Sequence, residues 1–208
     1  MMNKRAFLTF SVSALALAGC GDLLGPPQAA PVYALRPEFP VVTAPKVAWS
    51  LSVMRPSTSA FLDSDRIALQ QPGGMMDYYA SAQYPDSVPA VVQSTLVSAF
   101  ERSAAIGSLS MESEALHSDY YLFTDIRAFE ARYAVQDGIP DVVVTLGARL
   151  VTTLGRNTAG STVITKTARA AANNVGAVTA ALTQALAGVS GEIVTWALAF
   201  PAPPPPRL

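Results

Sequence analysis

The run Asp141-Val142-Val143-Val144-Thr145-Leu146-Gly147-Ala148-Arg149-Leu150 carries the clearest pattern in the chain. Val142, Val144, Leu146, Ala148 and Leu150 occupy every second position, the period of a strand that buries one face. Asp137-Gly138-Ile139-Pro140 reads as the turn that precedes it. Before that turn, Tyr120 to Tyr133 is a long β-rich stretch whose apolar phase slips between Ile126 and Phe129. A slip of one position in a strand predicts a bulge near Arg127-Ala128. On the other side, Asn157 to Gly160 reads as a turn into a further strand, Ser161 to Arg169. The three strands are expected to form an antiparallel meander.

Outside the meander the period changes. Val88, Val92, Leu96 and Phe100 recur at fours, with Val91 and Ala99 beside them, so Asp86 to Arg102 is expected to be an amphipathic helix. Val178, Leu182, Ala185, Val189, Ile193, Trp196 and Phe200 step by four and three residues, a second helix whose apolar stripe packs across the sheet. Toward the N-terminus, Tyr33-Ala34-Leu35 reads as a short strand, and Val47, Trp49, Leu51 and Val53 alternate with small residues. Ile67 and Leu69, then Met76 to Ala80, flank Pro72-Gly73-Gly74 as the two arms of a hairpin. The expected fold is α+β, an antiparallel sheet with two main amphipathic helices packed on it.

Composition bounds the function. The 208 residues are 50% hydrophobic and 14% charged, with 14 Lys+Arg against 15 Asp+Glu. That is too apolar for a disordered chain and carries no basic excess for nucleic acid. His117 is the only histidine, so paired-histidine metal sites are excluded by counting, and a Ser-His-Asp triad would have to use it. No Gly-x-Ser-x-Gly elbow and no glycine-rich phosphate loop with lysine occurs. Asp63, Asp65, Glu112, Glu114 and Asp125 are scattered and form no acid–base pair in sequence. No catalytic, metal-binding or cofactor residue is nominated, and no enzyme is expected.

The N-terminal segment carries chemistry of another kind. Lys4 and Arg5 precede an apolar run of eleven residues, Ala6 to Ala16, shorter than the roughly 20 residues needed to span a bilayer. Leu17-Ala18-Gly19-Cys20 follows and resembles the lipobox of bacterial lipoproteins. Small residues let a peptidase close on the backbone, and the thiol of Cys20 is the nucleophile for acylation. Cys20 is also the single cysteine, which leaves an exported chain without a stray thiol. The expected organisation is a signal peptide at 1–19, a lipidated cysteine and flexible tether at 20–32, one periplasmic domain at 33–200 and a proline-rich tail at 201–208. Gly21, not aspartate, follows the cysteine, which by the enterobacterial sorting rule points to the inner leaflet of the outer membrane.

The domain itself resembles the ABC-type transport auxiliary lipoprotein family, which includes paraquat-inducible protein C. The matching pieces are Tyr33-Ala34-Leu35, Leu62 to Ala68, Met76 to Tyr79, Pro89 to Leu96, Asp119 to Leu122 with Ile126 to Glu130, and Glu192 to Trp196. Gln83-Tyr84 departs from the Arg-Trp usual in that family, so the aromatic is kept and the positive charge of that arginine is absent here. The resemblance implies a docking subunit in a system that moves lipids or other hydrophobic substrates between membranes. Its implied partners are an MCE-domain protein and, through it, an ABC permease and ATPase, with no cofactor of its own. Two other classes stay open on sequence: a freestanding envelope lipoprotein that binds glycan or assembly factors, and a periplasmic hydrolase.

Overall fold

A computed structural model describes residues 30–39, 45–114 and 116–203. The elements in chain order are β1 (Leu51–Val53), β2 (Ser57–Thr58), β3 (Arg66–Gln70), β4 (Met76–Gln83), α1 (Val88–Ser103), β5 (Leu109–Met111), β6 (Tyr120–Arg132), β7 (Asp141–Thr152), β8 (Thr158–Arg169) and α2 (Val175–Leu198). The fold is α+β, and β6 is its spine. One edge of β6 pairs antiparallel with β7 along its whole length, and β7 pairs with β8, which is the expected meander. The register slips between Ile126 and Ala128, so the bulge falls at Arg127.

The other edge of β6 carries three short strands end to end. Leu51 faces Tyr120, Ser57 faces Asp125, and Ala68 faces Glu130, all parallel to β6. β5 adds in parallel beside β1, and β4 pairs antiparallel with β3. The sheet is therefore mixed and not purely antiparallel. Tight turns force antiparallel pairing only between β3 and β4, β6 and β7, and β7 and β8. The segment from Leu51 to Gln70 reaches β6 only after the excursion through α1, and a crossover of that length permits parallel pairing.

Several boundaries move from their expected places. Around Tyr33 there is only a single bridge, Val32 to Gln83, fixed by the Tyr33 N–H donating to the Gln83 carbonyl at 2.8 Å. The turn before β8 lies earlier than Asn157 to Gly160. Gly155 and Arg156 adopt positive φ, and the strand already starts at Thr158. β2 and β5 have no counterpart in the sequence reading; at two and three residues they are too short to show a period.

The helices close the core. Asn174 caps α2 by accepting from the Ala177 N–H at 2.9 Å, and Ala104 ends α1 in the left-handed conformation. α2 lies on β7 and β8, α1 on β1 and β5, and the two helices touch each other. Val178, Leu182, Ala185, Val189 and Ile193 are buried against Val142, Val144, Leu146, Ala148 and Leu150. Trp196 and Phe200, the end of the same stripe, are only half-buried and pack edge-on at 5.1 Å on the rim. By length and composition α2 could cross a membrane, yet the burial of this stripe makes it a core helix.

Candidate functional site

The outward phase of the meander forms an open groove of about 580 Å³. Cross-strand register builds it. Phe123 faces Arg149, which faces Ser161; Asp125 faces Gly147, which faces Val163. The Arg149 guanidinium stands 5.7 Å above the Phe123 ring, and Tyr121 meets that ring edge-on at 6.2 Å. Arg127 donates from Nε to Asp125 Oδ2 at 2.6 Å, two residues along the same strand. Gly147 leaves the room this pair uses, because a Cβ there would collide with the Asp125 carboxylate.

Arg55 closes one side of the groove. Its N–H donates to Glu112 Oε2 at 3.1 Å, and its guanidinium donates to Ser87 Oγ at 3.0 Å and lies 3.6 Å from Asp63. The groove thus carries three guanidiniums and one carboxylate, and among the described residues Arg149 has no ion-pair partner. Arg55 and Arg127 are offset by Asp63, Glu112 and Asp125, so the charge left open in the groove is that of Arg149, beside the half-buried ring of Phe123. Such a surface suits binding of an acidic segment.

The residues singled out in sequence fall in separate places. Leu17, Ala18, Gly19 and Cys20 lie outside the described residues. His117 is exposed in the loop before β6, and Asp65 and Glu114 are exposed elsewhere. Asp63 and Glu112, far apart in sequence, are brought together by Arg55. Among the described residues no group of three His, Cys, Asp or Glu is placed to hold a metal. Tyr84 is fully buried with its ring edge-on to Phe129 at 5.9 Å, and its hydroxyl has no partner among the described residues. Burial, and then the nearby Tyr79, push its pKa far up. Tyr79 is raised by burial and by its 2.7 Å bond to Tyr133, whose hydroxyl also donates to Asn173. The sequence reading missed the Phe123–Arg149 pair. The available signal was an arginine on the outward phase of an otherwise apolar strand.

With this geometry in view, known proteins offer four points of comparison. The family model described as ABC-type transport auxiliary lipoprotein component matches residues 33–194. The uncharacterized protein bll6063 of Bradyrhizobium diazoefficiens is 31% identical over 147 residues, 71% of this chain. This chain spans 39% of that relative's length. Protein XCC0632 of Xanthomonas campestris superposes with a TM-score of 0.76 at 29% identity, covering 81% of this chain and 95% of that one. A second crystal structure, of an uncharacterized protein, gives a TM-score of 0.62 at 15% identity over 80% of this chain and 99% of its own, which shows the shared fold.

Proposed function

The chain belongs to the family of ABC-type transport auxiliary lipoprotein components, and from that membership we propose that it is a lipid-anchored docking subunit and not an enzyme. Cys20 carries the acyl chains after cleavage of residues 1–19. Two or more chains make such a tether stable, where one holds only marginally. The anchor lies in the inner leaflet of the outer membrane, and the domain stands in the periplasm. Its partner is an MCE-domain protein, through which it works with an ABC permease and ATPase that move lipids or other hydrophobic substrates.

The observation that carries this reading is the extent of the family match, residues 33–194, which runs from beside the Val32–Gln83 bridge into α2. The groove supports it. Its carboxylate, Asp125, is committed to Arg127, while Arg149 is free to meet an acidic side chain of a partner. Crosslinked affinity purification of the intact lipoprotein tests the proposal. Recovery of an MCE-domain protein is expected, and recovery should fall for Arg149→Glu. Its absence under gentle detergent would favour a freestanding envelope lipoprotein that binds glycan or assembly factors.

A further inference from the structure

Eight large hydrophobic side chains stand exposed among the described residues, and four of them gather at one end of the sheet. Met76, Gln70, Arg132 and Asp141 form one registered row across β4, β3, β6 and β7. The β3–β4 and β6–β7 turns therefore leave the sheet at the same end, side by side. The Tyr133 N–H donates to the Gln70 carbonyl at 2.9 Å and ties their bases together. Each turn closes on itself: Gln71 N–H to the Met75 carbonyl at 2.8 Å, and Gly138 N–H to the Val135 carbonyl at 3.1 Å. Gly73 and Gly74 supply the positive φ the first turn needs. On these two tips Met75 is 63% exposed, Met76 39%, Val135 64% and Ile139 42%.

Exposed apolar side chains on a soluble surface are normally scattered singly, and a gathered set marks a contact. We propose that this end of the domain inserts into the bilayer that holds the acylated Cys20, a proposal that rests on the lipid anchor argued above. The length of the tether favours a bilayer. Pro31 lies eleven residues after Cys20, a reach of up to about 36 Å. The Pro31 carbonyl accepts from Gln83, and the seven steps of β4 from Gln83 to Met76 span about 23 Å. The anchor and the two tips can therefore meet one membrane plane. Charge on the tips is sparse, with exposed Asp77 and Arg132 at their bases. Residues 71–75 carry none, and residues 133–140 carry one, Asp137. Apolar burial, and not headgroup charge, drives the contact, so a zwitterionic membrane suffices.

The test uses the full acylated chain in phosphatidylcholine vesicles, with an environment-sensitive fluorophore attached through Met75→Cys, Val135→Cys or, as control, Leu154→Cys. Leu154 is exposed in the turn between β7 and β8, at the other end of the sheet. Emission at 75 and 135 is expected to shift to the blue and to be quenched by spin-labelled acyl chains, while emission at 154 is unchanged. Vesicle-bound protein whose probes at 75 and 135 behave like the probe at 154 overturns the insertion and leaves the anchor standing. A shift at 75 and 135 that appears only when an MCE-domain protein is added overturns it in favour of a protein contact. Failure of the chain to float with vesicles at all overturns the anchor and the insertion together.

Discussion

The indole nitrogen of Trp49 donates to the carbonyl of Phe200 at 3.0 Å, joining the approach to β1 to the exit from α2. Tyr120 adds a second bond, from its hydroxyl to the Pro201 carbonyl at 2.9 Å, and its ring lies edge-on to Trp49 at 5.1 Å. Gly160 makes room for the same helix end, since a Cβ there would sit 2.5 Å from Phe200 Cζ. Two carbonyls just beyond α2 are thereby satisfied, one from Trp49 ahead of β1 and one from Tyr120 on β6. Trp49→Phe keeps most of the buried volume but loses the donor, and should cost about 1 kcal/mol. Trp49→Ala should cost about 3–5 kcal/mol. Urea unfolding monitored by circular dichroism measures both, and a Trp49→Phe midpoint equal to wild type would show that the clamp adds nothing.

Tyr84 offers the opposite case, a group whose removal helps. Its hydroxyl is fully buried and has no hydrogen-bond partner among the described residues. Tyr84→Phe should raise stability by about 1 kcal/mol at neutral pH, because an unsatisfied buried hydroxyl is destabilising. The sign at high pH follows from linkage. In the unfolded chain this phenol ionises near pH 10, whereas in the folded chain burial keeps it protonated well above that. Ionisation of the unfolded chain above about pH 10 therefore lowers stability further, by about 1.4 kcal/mol per pH unit, until the folded phenol also ionises. Alkaline denaturation should therefore be shallower in Tyr84→Phe, and an unchanged slope would contradict the assignment.

The groove makes its own stability prediction. A Cβ on Gly147 would press into the Asp125 carboxylate and break its bond to Arg127. Gly147→Ala should cost about 1–3 kcal/mol. Asp125→Ala removes the obstacle, so the double variant should be clearly more stable than the sum of the single effects requires. Strict additivity in a double-mutant cycle would mean that the two residues do not meet.

How much of this was legible in the sequence depends on what each pattern encodes. The meander was legible because β7 shows one side chain to the core at every second position, and the bulge because the phase slips between Ile126 and Phe129. α2 was legible from its stripe, although Trp196 at its end reaches only the rim. The parallel pairing of β1 and β3 was not legible, since alternation of side chains carries no strand direction. Gly160 misled for a physical reason. A glycine after asparagine reads as a turn, yet this one lies within β8 because the Phe200 ring occupies the space of a Cβ. The groove was hidden because Phe123 and Arg149 are partners only once the register of β6 and β7 is known.

The membrane anchor leads to the sharpest prediction. If Cys20 is acylated and becomes the first residue of the mature chain, the intact mass must lose the 19 residues before it and gain the mass of the acyl groups. Cys20→Ser removes the nucleophile, so neither event can follow. That variant should keep its full length, and its domain should fold as before, because the buried core among the described residues runs from Trp49 to Leu198, well clear of Cys20. Attachment in this variant would depend on the uncleaved run Ala6 to Ala16, which is too short for a stable span. The variant should therefore be released by alkaline carbonate, whereas the acylated wild type resists extraction. Mass spectrometry of the membrane fraction reads the first outcome and carbonate extraction the second. Wild-type protein found at full length, or a Cys20→Ser variant that stays bound as firmly, would show that something other than the thiol holds the domain to the envelope.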